Sequence, residues 1–279
     1  MSKKYSGKKK ISFKTILYEK KNLVATITLN RPKVLNAINF QMLNELQSAF
    51  LDATFDDNVA VVVLTGNGKS FSTGADIKEW SEDFLNFPND FYKWMNVFIE
   101  TFERLKNIGK PTVAKLNGIV VGGGNELQML CDLAIASDDI FFKHVGTSRG
   151  SVPSAGATQW LPLIIGERKA REMILLGEEM SAQKAFELGL VNKIVPRNKL
   201  DEETNIMVEK LINKLPECSR YAKEQLNFWK NFSWSLTIGH LKDWLTIHTS
   251  SFETVEGIKA FKEKRKIDYK KLRQNKIKN

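Results

Sequence analysis

Apolar positions along the chain follow two rhythms. Residues 24–29 (VATITL) alternate branched apolar side chains with threonine and run into Asn30-Arg31-Pro32, which predicts a strand closed by a turn. From Asn39 the apolar residues Met42, Leu43, Leu46, Ala49, Phe50 and Ala53 recur at helical spacing, with Asn36 or Asn39 available as the cap. Residues 59–64 (VAVVVL) are apolar throughout, as suits a strand covered on both faces of a largely parallel sheet. Residues 112–116 and 133–136 predict further strands, and helical patterns occupy about 88–107 and 124–130. This alternation predicts an α/β fold. After residues 191–196 (VNKIVP) the pattern is helical to the end, with segments at about 201–214, 218–231, 234–250 and 253–264. The change near 197 separates a β-containing core from a helical section packed on it or on another subunit.

Composition narrows the classes. With 42% apolar and 27% charged residues, the 279-residue chain has the balance of a globular protein rather than a disordered one. It has no apolar run of about 18 residues, and residues 1–14 lack the apolar stretch of a signal peptide, so a cytoplasmic, non-spanning protein is expected. Two cysteines (Cys131, Cys218) and three scattered histidines (His144, His240, His248) predict neither a disulfide framework nor a metal site. The net charge of +10 is unevenly placed. Residues 1–14 carry six lysines and no acid, and residues 257–279 carry ten Lys/Arg against Glu263 and Asp268, which leaves residues 15–256 at −4. Basic ends of this kind are more often solvated termini than polyanion sites, so nucleic acid is not expected as a partner.

Candidate chemistry lies in the glycine turns. The segment from Gly66 to Ser70 ends like a phosphate-binding loop, but Val63 occupies the position of its first glycine. Gly122-Gly123-Gly124 precedes a helix without the spacing of a dinucleotide fingerprint. What remains is a turn that exposes backbone N–H groups at a helix start, a setting for an anion or oxyanion. Glu126 follows in the first turn of that helix. Such an acid ordinarily faces solvent, yet Ile119, Val120, Val121, Leu127, Met129 and Leu130 make its surroundings apolar, where a carboxylate is costly unless it has a task. A second turn, Gly74-Ala75-Asp76, follows another strand and would by itself be a loop with Asp76 as a helix cap. Two such turns at strand ends supply the two N–H donors that an oxyanion hole requires.

These residues resemble the enoyl-CoA hydratase/isomerase (crotonase) superfamily from about Leu23 to Asp268. The likeness rests on an ordered set of blocks: LNRPKVLNAI (29–38), GADIKE (74–79), KPTVA (110–114), GGGNEL (122–127), CDLAIA (131–136), GATQ (156–159), AQKAFELGLV (182–191) and EGIKAFKEKR (256–265). The resemblance implies a spiral of ββα units with a helical C-terminal trimerisation region. On that basis residues 1–14 are a basic tail, 15–197 the spiral core with a CoA-thioester site, 198–268 a helical oligomerisation region, and 269–279 a second basic tail. The implied assembly is a homotrimer or a dimer of trimers.

The family's shared chemistry is stabilisation of a thioester enolate. Its two oxyanion donors fall on the N–H groups of Ala75 and Gly123, and its first catalytic glutamate on Glu126. Coenzyme A, part of the substrate and not a separate cofactor, would lie along Lys33, Leu35 and Ala37 and along Asp76, Ile77 and Lys78. Phe261 would approach the adenine, often from a neighbouring subunit, and Lys33 and Lys264 would meet phosphates. The family's second glutamate is missing, because Gly146 stands in its place. His144, which flanks that position, or Ser148 or Ser151 would then be the alternative proton donor. No aspartate stands at Pro153-Ser154, where dehalogenases and naphthoate synthases of the family carry one. The loop after His144, with the Asn125-Glu126 pair, is similar to the branch that hydrolyses 6-oxocyclohex-1-ene-1-carbonyl-CoA. Hydration of an α,β-unsaturated acyl-CoA is therefore the leading expectation. Ring C–C hydrolysis of a cyclic oxo-enoyl-CoA, enoyl-CoA isomerisation, and a non-catalytic CoA- or RNA-binding role are the alternatives.

Overall fold

The computed structural model describes residues 12–276; most of the N-terminal basic tail and the last three residues lie outside the described residues. The described residues begin with β1 (Ile16–Lys21), β2 (Val24–Leu29), α1 (Phe40–Phe55), β3 (Val61–Gly66) and β4 (Ser70–Ser72). There follow α2 (Ile77–Glu79), continued by a π-helical turn (Trp80–Phe84), then α3 (Pro88–Lys106), β5 (Thr112–Leu116), β6 (Ile119–Val121) and α4 (Gly123–Leu130). Next come β7 (Leu133–Ser137), β8 (Phe141–Lys143), α5 (Ala157–Ile165), α6 (Glu167–Arg171), β9 (Met180–Ser181), α7 (Ala182–Glu187) and β10 (Lys193–Val195). Among the described residues five α-helices follow: α8 (Leu200–Ile212), α9 (Pro216–Leu226), α10 (Phe228–His248), α11 (Phe252–Lys262) and α12 (Tyr269–Lys276).

The strands form two sheets, ordered β1-β2-β3-β5-β7-β10 and β4-β6-β8-β9. Successive strand pairs β3/β4, β5/β6 and β7/β8 each send their first member to the larger sheet and their second to the smaller, and a helix follows each pair. The repeated ββα step is the spiral. Pairing is parallel except for β1 with β2 and β8 with β9. β3 is buried along its whole length, as the apolar run at 59–64 predicts, although the strand itself lies two residues further on and ends in Thr65 and Gly66. Val62 and Leu64 join the main core, while Val61 and Val63 face a second core closed by Leu200 and Val208 of α8.

Asn39, not Asn36, caps α1, its side chain accepting from the Met42 N–H at 3.0 Å. The six periodic apolar residues of that helix are all fully buried. The C-terminal helices divide differently from the expected segments: the break falls at Asn227, and α10 then runs unbroken through residues 232–233. Neither glycine nor proline interrupts it there, and the indole N–H of Trp234 reaches Glu103 on α3 at 2.6 Å, tying the middle of α10 to the core. Within the second expected basic tail, residues 269–276 are helical. Asp268 starts that helix by accepting from the N–H groups of Lys270 and Lys271 at 3.1 and 3.0 Å. Among the described residues no helix is long and apolar enough to cross a membrane.

Candidate active site

Three neighbouring parallel strands of the smaller sheet, β4, β6 and β8, run out at one cavity of about 550 Å³. Ala75 follows β4, Gly123 follows β6 and His144 follows β8, so one sheet edge delivers all three. Glu126 arrives from the first turn of α4. Ala75, Gly123, Glu126, His144, Lys33, Leu35, Ala37, Asp76, Ile77, Lys78 and Phe261 all line this cavity.

Backbone pairing explains why two N–H groups remain free. Ile38 forms a parallel bridge with the segment after β4, its N–H donating to Gly74 O at 2.8 Å and its carbonyl accepting from the Asp76 N–H at 3.0 Å. In that geometry the Ala75 N–H points the other way. The Gly123 N–H belongs to the first helical residue of α4 and so has no intrahelical acceptor. The two turns touch closely. A Cβ on Gly74, whose φ is +82°, would sit 2.7 Å from the Gly123 nitrogen, and one on Gly124 would sit 2.2 Å from Ser72 O.

Glu126 is 1% exposed. Its carboxylate accepts from the Ala155 N–H at 2.7 Å and from the N–H groups of Ala157 and Ser154, so the loop before α5 grips it. Burial pushes its pKa up to about 7, and the N–H bonds offset only part of that rise. The sign for stability follows. A folded pKa above the unfolded value contributes stability that is fully present below about pH 4.5 and is lost as pH rises through about 7. Between pH 5 and 8 the wild-type chain is expected to lose about 2 kcal/mol of unfolding free energy relative to Glu126→Gln, as urea unfolding at the two pH values would measure. Parallel curves for the two proteins would contradict the elevated pKa.

The position of the second glutamate is crowded. A Cβ on Gly146 would meet Ser151 O at 3.0 Å and Val152 Cα at 3.2 Å, because the loop folds back over it. Of the alternative proton donors, Ser148 does not line the cavity and donates to Val145 O at 3.0 Å; Ser151 lines it but donates to Val152 O at 3.3 Å. His144 is buried, and desolvation lowers its pKa to about 4, so its ring is neutral.

The CoA-side residues divide by charge. Asp76 is already engaged, capping α2 and pairing with Arg31 at 2.8 Å. Lys33 and Lys78 are exposed and form no ion pair among the described residues. Phe261 of α11 lines the cavity of its own chain and carries the Arg149 guanidinium on its ring at 5.0 Å. Lys264 lies outside this cavity, in an adjoining groove that shares Arg149 and Phe261.

Sequence reasoning missed the far wall. Trp80, Phe91, Trp94 and Phe98 form a ladder of near-parallel rings with centroid spacings of 5.1, 5.8 and 5.1 Å, joined along the cavity by Phe84, Met95 and Leu245. The indole N–H of Trp80 donates to Thr249 Oγ1 at 2.8 Å and that of Trp94 to Glu79 Oε2 at 3.2 Å. With both indoles satisfied, the wall is apolar. Aromatic residues at helical spacing in 91–98 were the available signal, but they look the same in any core-facing helix.

A spiral of ββα units with its cavity at the ends of the inner strands is the crotonase fold. The chain belongs to the enoyl-CoA hydratase/isomerase family, whose sequence profile matches residues 19–273, and it is an enzyme of that family. It is similar to a probable enoyl-CoA hydratase of Mycobacterium tuberculosis, 37% identical over 258 residues that span 91% of this chain and 97% of that one. It is also 38% identical over 265 residues to the mitochondrial enoyl-CoA hydratase of Pongo abelii, spanning 93% and 89% of the two chains. A solved enoyl-CoA hydratase structure from Geobacillus kaustophilus superposes with a TM-score of 0.73 at 36% identity, covering 91% of this chain and 97% of the other.

Proposed function

We propose that the chain adds water across the α,β double bond of an acyl-CoA with an apolar acyl group. The observation that carries this reading is the convergence of two unpaired N–H groups, those of Ala75 and Gly123, and the buried Glu126 carboxylate on one cavity. As water oxygen bonds to Cβ, Glu126 takes a proton from it, and the thioester oxygen gathers enolate charge between the two N–H donors. Each donor of this kind is worth about 3 kcal/mol at the transition state. Glu126 then returns the proton to Cα. A single carboxylate acting as base and then acid is served best by a pKa near neutrality, and Glu126 at about 7 supports that double role.

In this reading CoA lies against Lys33, Leu35, Ala37, Asp76, Ile77 and Lys78, with Phe261 at the adenine and Lys33 and Lys264 near phosphates. The apolar aromatic wall receives the acyl group. The enzyme works in the cytoplasm as a homotrimer or dimer of trimers. Exposed apolar residues on α9 and α10 (Leu226, Phe228, Trp229, Phe232) support a subunit contact, and the two free cysteines suit a reducing compartment. Ring-opening hydrolysis of a cyclic oxo-enoyl-CoA is the second reading, favoured by the same aromatic wall and beginning with the same water addition.

Incubating the protein with crotonyl-CoA, cinnamoyl-CoA and a cyclic oxo-enoyl-CoA, followed by mass spectrometry, tests both. Gain of one water is the expected result, and gain of two with the cyclic ester would favour ring opening. No gain with any of the three would reject water-adding chemistry.

A further inference from the structure

Beside Glu126 lies a chain of buried polar side chains that the hydration chemistry leaves unused. Asn125, Gln128 and His144 are 0, 2 and 1% exposed. Gln128 Nε2 donates to Asn125 Oδ1 at 2.9 Å, and Asn125 Nδ2 lies 2.9 Å from His144 Nε2. Asn125 and Gln128 stand three residues apart on α4 and so share a face of that helix, while His144 comes from the end of β8. The His144 ring lines the cavity, and its Nδ1 meets no protein partner among the described residues.

The orientation of this chain follows from what each group can do. A primary amide has one accepting oxygen and one donating nitrogen. The bond from Gln128 fixes the Asn125 oxygen on its own side, which turns the Asn125 NH₂ towards His144. Two donors cannot face each other at 2.9 Å, so Nε2 is the acceptor and the ring proton resides on Nδ1.

We infer that Gln128 and Asn125 are positioning residues that hold His144 as the neutral Nδ1–H tautomer, aiming a hydrogen-bond donor at the water that Glu126 activates. The relay does not supply the missing acid. A neutral imidazole N–H gives up its proton far less readily than a carboxylic acid, so His144 orients the water while Glu126 moves the protons. Burial keeps the ring uncharged, in agreement with this assignment. The tautomer stands on the hydrogen bonds alone; only the aim at water rests on the hydration reading.

Side-chain ¹⁵N NMR of the full chain tests the tautomer, with the His144 signals identified by their loss in His144→Gln. The expected wild-type spectrum has a protonated Nδ1 and a bare Nε2 from pH 6 to 8. Gln128→Met keeps the side-chain volume and removes the bond that orients Asn125, so both tautomers are expected. Asn125→Leu removes the donor to Nε2, so the ring is expected to revert to the Nε2–H form that free histidine favours. In both variants kcat for the accepted enoyl-CoA is expected to fall, by about 10²-fold in Asn125→Leu, with KM within twofold of wild type and circular dichroism unchanged. A wild-type ring protonated at Nε2 or at both nitrogens overturns the assignment, as does an unchanged ring spectrum in either variant that folds. A tautomer switch with undiminished kcat overturns the positioning role. If no enoyl-CoA gains water, the hydration reading falls while the ring spectrum still decides the tautomer.

Discussion

Replacing Glu126 by glutamine is expected to lower kcat for hydration by about 10²–10⁴-fold while KM stays within a few-fold of wild type. Glutamine has nearly the same shape, and its amide oxygen still accepts from the N–H groups of the 154–157 loop, so the cavity keeps its form. What it lacks is a group that takes a proton from water and gives one back. The effect falls at the upper end because the family's second carboxylate is not there to share the task. Gly146 occupies the place of the second carboxylate, and the loop carbonyl of Ser151 crowds any side chain there. The loss of enoyl-thioester absorbance under saturating substrate gives kcat directly. A variant that kept more than a tenth of wild-type turnover would remove Glu126 from the mechanism. At pH 8 the variant is expected to unfold at a higher temperature than wild type, since it no longer buries a charge.

Gly74→Ala is expected to cost about 10²–10³-fold in kcat, although no catalytic side chain is changed. The added methyl would sit 2.7 Å from the Gly123 nitrogen and 3.2 Å from Val121 O, so the turns after β4 and β6 must separate. The Ala75 and Gly123 donors then no longer converge on one oxygen. The substitution also places a side chain at φ +82°, a left-handed conformation that favours glycine, so thermal stability is expected to fall by about 1–2 kcal/mol. Kinetics on the folded protein separate the two effects. Turnover close to wild type in a folded Gly74→Ala protein would show that the oxyanion is not held between these turns.

Much of this organisation was legible in the order of residues. The strand at 24–29, the helix from 40 and the doubly covered strand in 59–64 announce themselves because each is written in a local period that burial on one or two faces imposes. Shorter strands were not visible. β4, β6, β8 and β9 have two or three residues each, too few for an alternation to repeat, and they are held by neighbours distant in sequence. The helical C-terminal section was visible as a class, but its division at Asn227 was not. That boundary depends on where Trp234 and its neighbours dock onto α3.

By itself the sequence determined the α/β class, the family likeness and those cavity-lining residues that sit in motifs, because motifs record which residue types a backbone turn or a buried charge requires. The same holds for the missing second carboxylate at Gly146. Only the tertiary structure decided what those residues face. Three strands that are far apart in the chain end side by side, which leaves two N–H groups unpaired and brings the 154–157 loop onto Glu126. Tertiary packing also turned a helical stripe of aromatic residues into the cavity wall, supplied Phe261 from the same chain, and joined Gln128 to His144 through Asn125. Direction, distance and dehydration are properties of that packing, and no local pattern along a chain encodes them.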